Sequence, residues 1–304
     1  MNSELYRPYV VSADTQGLLT KWSRETGYAI PKTDYFQGML KDLGNTLQEY
    51  FPEVDVVPES FLRNGLKQLS STVDQPIVSL DRIYVDKEDK NIVGFLDTTR
   101  SVDTNLNNLG LVSRNTIDID SQIKKLSEQY SGQNIALLDD VIFGGNTMLE
   151  IINKFQNQGV TVSRVIAGIS IQEGIDLLNT KQVEVVSLLT YPKVVDEICE
   201  RDFVPGTPES GRTIIINAKR YGAPYLLPFG KPESWASIPE KSEKDFSLFC
   251  LSQSENLWKK IERESASPVP TKALSKPIYG LSEESSVARA LNIIRTQLKN
   301  GGNL

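Results

Sequence analysis

Apolar residues fall at two distinct periods along the chain, and the changes between them mark out its elements. Over residues 34–51, DYFQGMLKDLGNTLQEYF places Tyr35, Phe36, Met39, Leu40, Leu43, Leu47, Tyr50 and Phe51 three or four apart, which predicts one face of a helix. Asp34 stands where an N-cap belongs, and Gly44 costs roughly 1 kcal/mol against alanine without breaking the stripe. VDVV (Val54–Val57) follows as a short buried strand ending at Pro58, and FLRNGLKQL returns to a helical period. PIVSLDRIYV and NIVGFLD are β-rich runs joined by the charged DKEDK, predicting a hairpin or two strands with a surface connection. Residues 98–115, TTRSVDTNLNNLGLVSRN, carry no usable period, and a polar stretch of that length in a compact domain predicts a lid or a disordered segment.

The middle of the chain has the clearest pattern. Residues 135–138 predict a strand, 146–158 a helix and 161–170 a second β-rich run. The helix carries Met148, Ile151, Ile152 and Phe155 on one side and stops at Gly159, a residue suited to a left-handed terminator. Strand, helix and strand in this order make a βαβ unit, whose strands run parallel with a right-handed crossover. Residues 183–191, VEVVSLLTY, supply a further strand. Beyond Pro192, RDFVPGTPESGRT and YGAPYLLPFGKPESWASIPE are rich in proline, glycine and aromatic residues and predict ordered, irregular loops, and SASPVPTKALSKPIYG an extended connector. Trp235, Phe246, Phe249 and Trp258 fit the core of a C-terminal subdomain. SEESSVARALNIIRTQLKN predicts an amphipathic helix capped by Ser282 and stopped at Gly301. The expected organisation is an N-terminal helical extension (1–53), an α/β core with an open parallel sheet flanked by helices (54–230), and a C-terminal irregular and helical subdomain (231–304).

Composition narrows the chemistry. Of 304 residues, 39% are apolar and 24% charged, enough for a substantial core. The net charge of −6 and the lack of a dense Lys/Arg stripe argue against nucleic acid as a partner. No apolar run approaches the 18 or so residues that span a bilayer, so no membrane is expected, and the first residues lack the pattern of a secretory signal. Two cysteines, Cys199 and Cys250, offer no disulfide framework, and a cytoplasmic location is expected. The chain has no histidine. Ser-His and Cys-His nucleophilic sites, His-containing zinc sites and imidazole acid–base catalysis are therefore excluded. Carboxylates, lysines, hydroxyls, backbone amides or an oxygen-bound hard cation must carry any reaction.

IALLDDVIFGGNTML, residues 135–149, concentrates those groups. In open α/β sheets ligands bind beyond the carboxyl ends of the strands, where Asp139 and Asp140 are expected. The glycines that follow let backbone N–H groups converge on an anion at a helix start, and Thr147 adds a hydroxyl. Carboxylates suit the hydroxyls of a sugar and an amide nest suits its phosphate. Capping alone explains one carboxylate and leaves the other, with the glycines, unexplained. A Walker B reading needs G-x-x-x-x-G-K-[ST], which does not occur; the only GK is Gly230-Lys231, followed by proline. A response-regulator receiver would place its acid pair near the start of the domain.

The same residues resemble the phosphoribosyl-pyrophosphate motif of type I phosphoribosyltransferases, in which an apolar strand, two acids and a Thr/Gly-rich turn follow one another. The resemblance implies a phosphoribosyltransferase-like fold binding phosphoribosyl pyrophosphate or a nucleoside monophosphate. It also implies transfer of the phosphoribosyl group to or from a base with magnesium, which no protein side chain is expected to ligate directly. Asp139 and Asp140 would hold the ribose hydroxyls, and Gly144, Gly145, Asn146 and Thr147 the 5′-phosphate. Arg82, and Arg100 in the polar stretch, are candidates to neutralise pyrophosphate, with Pro58 to Phe61 holding the place of the pyrophosphate loop. Asp202 and Arg212, in CERDFVPGTPESGRT, are candidates for the hood that selects the base. A homodimer is compatible with the resemblance. Phe143 stands where 6-oxopurine enzymes carry an aspartate, which argues against that chemistry, and Gly144 replaces a common threonine donor. These departures keep open a second reading, a regulatory or interaction module that binds a phosphorylated ribose or nucleotide without transferring it.

Overall fold

The computed structural model describes residues 6–301. In chain order the first elements are β1 (Tyr9–Ser12), α1 (Thr15–Thr26), α2 (Thr33–Gln48), β2 (Val54–Val57), α3 (Glu59–Thr72), β3 (Ile77–Ser79) and β4 (Ile92–Phe95). Then come β5 (Thr99–Val102), β6 (Asn108–Val112), α4 (Ile119–Tyr130), β7 (Asn134–Ile142), α5 (Asn146–Asn157), β8 (Thr161–Ile171), α6 (Gln172–Asn179) and β9 (Glu184–Tyr191). The chain ends with β10 (Asp196–Cys199), β11 (Arg212–Ile216), β12 (Lys219–Ala223), α7 (Pro232–Ala236), α8 (Glu243–Glu264) and α9 (Val287–Lys299). Two compact units interleave along the sequence: unit 1 is Met1–Arg7, Pro58–Thr99 and Leu111–Val194, and unit 2 is Pro8–Val57, Arg100–Gly110 and Val195–Leu304. The three consecutive segments expected from the sequence do not coincide with this division.

Unit 1 is built on a five-stranded sheet of order β4-β3-β7-β8-β9, parallel throughout. The expected strand at 135–138 is the middle of β7, and the runs around Val165 and Val185 are β8 and β9. Met148, Ile151, Ile152 and Phe155 of α5 bury against Ile135, Leu137, Val165 and Ala167, with Ile123 of α4 and Leu178 of α6 in the same core. Gly159, at φ +78°, closes the segment after α5 in the left-handed region. The opposite face takes α3, brought close by two glycines: a Cβ on Gly65 would lie 2.4 Å from Leu188, and one on Gly168 would lie 3.0 Å from Leu62.

Several expectations change in register or partner. PIVSLDRIYV is a strand only at Ile77–Ser79, and β3 pairs with β4 in parallel, so the two runs are not a hairpin. Residues 98–115 are not an aperiodic lid, because β5 and β6 form there and join β11 and β12 in a four-stranded sheet. Val54–Val57 is not a strand of the five-stranded sheet; it pairs with β1 in the parallel sheet β10-β1-β2. Pro58 therefore opens α3 rather than a ligand loop.

Unit 2 packs α1, α2, α8 and α9 around a core that contains Tyr9, Trp22, Leu43, Phe246, Trp258 and Leu291. Trp235 belongs to the same core and Phe249 packs against it, as expected for subdomain aromatics. The N-terminal segment is more than a helical extension, because β1 is the central strand of its sheet. Helix α2 starts at Thr33 after Lys32, with Asp34 in its first turn rather than at the cap. Helix α9 is capped by Ser286, whose side chain accepts from the Arg289 N–H, and not by Ser282. Among the described residues no helix is long and apolar enough to cross a membrane.

The glycine contacts give a direct test of the packing. A methyl at residue 168 would sit 2.8 Å from the carbonyl oxygen of Asp140, a backbone atom of β7 that cannot turn aside. Gly168→Ala is expected to destabilise the protein by about 1–3 kcal/mol in urea unfolding. Gly38→Ala, on the exposed face of α2 with nothing within 4 Å, should instead stabilise it by up to about 1 kcal/mol.

Candidate functional site

The order of the five-stranded sheet locates a ligand crevice. From β3 the chain moves outward to β4, whereas from β7 it moves the other way to β8 and β9. The direction of winding thus reverses between adjacent strands β3 and β7, and parallel sheets bind ligands beyond the carboxyl ends at such a point. Asp139 and Asp140 lie in the last turns of β7 and are half-buried. They belong to the strand, with Asp139 opposite Ala167, rather than lying past its end as the sequence suggested. The strand runs on to Ile142 because Val141 and Ile142 continue the pairing with Ile169 and Ser170.

A turn at Phe143, Gly144 and Gly145 leads from β7 into α5. Gly145 has φ +77°, and a Cβ there would lie 3.0 Å from the carbonyl oxygen of Gly174. Gly174 is tighter still, since its Cβ would lie 2.3 Å from the carbonyl oxygen of Phe143. The start of α6 is thus the seat on which the turn rests. Asn146 and Thr147 are the first residues of α5, with exposed side chains, and the helix has no side-chain N-cap. Its first-turn N–H groups have no acceptor within the helix and mark the positive end of its dipole. The structure therefore brings together Asp139, Asp140, Gly144, Gly145, Asn146 and Thr147 as the sequence proposed.

One residue of this site escaped the sequence analysis. Asp81, just beyond β3, is 3% exposed and accepts the N–H groups of Ile83 (2.9 Å), Tyr84 (2.8 Å) and Val85 (3.1 Å). Its carboxylate thereby shapes the loop after β3. Burial and the neighbouring Asp140 charge push Asp81 up to about 6. Asp139 is raised well above the usual carboxylate range, first by burial and then by Asp140 and Asp81. Its Oδ1 accepts the N–H of Asp140 at 3.0 Å. The signal that would have revealed Asp81 is the one that revealed Asp139, an aspartate directly after a buried β-rich run. It was hidden because PIVSLDRIYV reads as one continuous strand. Among the described residues no group of three or more Asp, Glu, Cys or His side chains is arranged to hold a metal ion.

Arg82 lies in the same loop, with its guanidinium on Asp97 through Nε (2.5 Å) and Nη2 (2.8 Å) and stacked over Phe95. Asp97 also accepts from Asn115 at 2.6 Å, so one carboxylate ties the loop after β3 to the segment after β6. The remaining candidates belong to unit 2. Arg100 is in β5 and exposed, Asp202 accepts the N–H of Gly211 at 2.7 Å, and Arg212 stacks over Trp235 with its Cζ 4.5 Å from the ring centre. A second buried ionisable cluster, unforeseen from the sequence, lies at the carboxyl ends of β1 and β10. There Asp14 pairs with Arg201, and Glu200 accepts the N–H groups of Asp14 (3.4 Å) and Thr15 (3.3 Å) at the start of α1.

The sequence matches no family model and no curated protein. Among solved structures, the fold is similar to an orotate phosphoribosyltransferase from Aeropyrum pernix, at 26% identity and TM-score 0.18 over 19% of this chain and 33% of that one. It is also similar to an adenine phosphoribosyltransferase from Thermoanaerobacter pseudethanolicus, at 11% identity and TM-score 0.29, over 43% of this chain and 79% of that one. A third is the Mycobacterium tuberculosis H37Rv orotate phosphoribosyltransferase in complex with 5-phospho-α-D-ribosyl 1-diphosphate, at 13% identity and TM-score 0.27, over 43% and 71%. Each similarity covers less than half of this chain, and the first spans a third of the protein it matches.

The carboxylate cluster has a measurable pH signature. Between about pH 4 and 6 the folded chain keeps a proton on Asp81 that the unfolded chain has released, since its folded value is raised from 3.8 to about 6. The contribution of Asp81 to stability is therefore greatest below pH 4 and is lost as pH rises through 6. Carboxyl carbon NMR should show Asp81 titrating near pH 6. In Asp140→Asn the midpoint should fall but stay above the ordinary value, because burial is the larger cause. An unmoved midpoint would mean that the two carboxylates do not interact.

Proposed function

We propose that unit 1 binds a phosphorylated ribose between β3 and β7 and, as phosphoribosyl pyrophosphate, transfers its phosphoribosyl group to or from a base. The observation that carries this reading is the arrangement within nine residues at the winding reversal. Two carboxylates lie near the end of β7, a left-handed glycine turns the chain, and a helix N-terminus follows. Sugar hydroxyls and a phosphate on one ligand satisfy both halves. Burial pushes Asp139 toward its protonated form, a donor, and Asp140 beside it offers acceptors, so adjacent ribose hydroxyls would find complementary partners. The 5′-phosphate takes the N–H groups from Gly144 to Thr147. In transfer, a base nitrogen bonds to ribose C1 as the C1–oxygen bond to pyrophosphate breaks, and the carboxylates face the positive charge that develops on the sugar.

Magnesium fits this site only in part. The donor set is all oxygen, which suits a hard cation, but the protein does not complete a coordination shell. Ligand oxygens and water would hold the ion, with no side chain bonded to it directly, and it would neutralise the departing pyrophosphate. A non-catalytic binder is the second reading. Arg82 favours it, because Asp97 already occupies its guanidinium.

Calorimetry with phosphoribosyl pyrophosphate and magnesium tests the site. Asp139→Asn combined with Asp140→Asn should weaken binding by about tenfold or more per contact, each charge-assisted hydrogen bond being worth about 1.5–3 kcal/mol. Unchanged affinity in this double variant would remove the site from consideration. Magnesium-dependent pyrophosphate release with a panel of bases marks the transferase; binding with no release from any base marks the binder.

A further inference from the structure

Unit 2 holds a concentration of positive charge that the proposed function does not use. Arg100 lies in β5 and Arg212 opens β11, and these strands run parallel with Ser101 opposite Thr213 and Val102 opposite Ile214. The two arginines therefore stand side by side, each one residue before the paired positions. Both guanidiniums lie near Tyr225, which is 4% exposed, with the Arg212 Cζ 5.7 Å from its ring centre. Like charges on neighbouring strands repel. Among the described residues neither guanidinium has a carboxylate at salt-bridge distance; Asp202 and Asp196 act on Arg100 only from further away.

The surroundings leave donors in excess. Arg212 lies over Trp235 and near Tyr225, so its planar fork is fixed in one orientation before any ligand arrives. Its Nε is buried with no partner, as are the hydroxyls of Thr207 and Ser210 in the loop that leads to it. Arg100 is exposed and gives access from solvent.

We propose that the Arg100–Arg212 pair is an anion site of unit 2 that takes a phosphate group. Two guanidinium forks from adjacent strands offer more donors than one carboxylate can accept, whereas a tetrahedral dianion has oxygens for both. The site belongs to unit 2 alone and does not depend on ribose binding in unit 1.

The indole N–H signals of the full chain provide a local readout. Trp22 and Trp258 donate to Ala273 and Pro205 in the core, so phosphate at the arginines should move only the Trp235 signal, assigned with Trp235→Phe. Inorganic phosphate should shift it saturably, while chloride at equal ionic strength should not. Arg100→Gln, at an exposed position, should weaken the response by about tenfold or more, and Arg100→Lys by less. Gly145→Ala in unit 1 should leave it unchanged. Tighter binding of ribose 5-phosphate than of inorganic phosphate at this signal would identify a phosphorylated small molecule as the ligand; equal binding would identify phosphate itself. A Trp235 signal that does not move, moves equally with chloride, or keeps its midpoint in a folded Arg100→Gln variant overturns the proposal.

Discussion

Three carboxylates are forced together where the winding of the five-stranded sheet reverses, and the local structure of unit 1 is organised around that repulsion. Each carboxylate raises the cost of ionising its neighbours, on top of the cost of burial. The chain meets this in different ways at each residue. The carboxyl of Asp139 is raised well above the usual carboxylate range, and Asp81 receives three backbone N–H groups that fold the loop after β3 around it. Asp140 completes the cluster on the same strand as Asp139, and the positive end of α5 follows after a three-residue turn. The tight seat of Gly145 on Gly174 fixes that helix end, so the electrostatic arrangement depends on two positions without a Cβ.

Unit 2 solves the same problem without leaving a site. Asp14 and Glu200 lie at the carboxyl ends of parallel strands, as Asp81 and Asp139 do, and burial pushes them up to about 7 and about 8. Here the chain supplies its own cation, Arg201, whose backbone N–H (2.9 Å) and guanidinium both bond Asp14. Glu200 is taken up by the first N–H groups of α1. Acids at strand ends are thus not enough to define a ligand site. The difference lies in which groups compensate them: after β3 the backbone N–H groups of Ile83, Tyr84 and Val85 turn to Asp81.

What could be seen in the sequence follows from the range of the interactions involved. The β7–α5–β8 unit was legible because its apolar stripe, its glycine terminator and its strand pairing all lie within about forty residues, where local periodicity and short connections decide the structure. The interleaved division was not, because it rests on pairings such as Tyr9 with Asp196 and Ser101 with Thr213 that no local pattern encodes. Strand β5 was lost in a polar stretch because its sequence, TRSV, buries only Ser101 and Val102. Helix α8 went unmarked in the sequence because it buries residues on several sides, including Ser247, Ser254 and Glu255, so a single apolar stripe is absent. The site residues of β7 and α5 were visible because chemistry and element boundary coincide there. Asp81 was not, because the boundary of β3 falls inside an apolar run.

The pairing of Arg82 with Asp97 bears on how far binding leads to transfer. Pyrophosphate arriving at the loop after β3 would exchange one anion for another on the same guanidinium, so the gain from Arg82 is offset by loss of the bonds it already makes. Asp97 would then be left 9% exposed with only Asn115 and the loss of its cation to accommodate. Removing one partner of a largely buried pair costs more than the pair itself contributes. The first turn of α5 carries no comparable pairing, since no side chain caps the helix. On the proposed reading, stabilising a departing pyrophosphate would require either a cation brought with the ligand or a rearrangement that gives Asp97 a new partner.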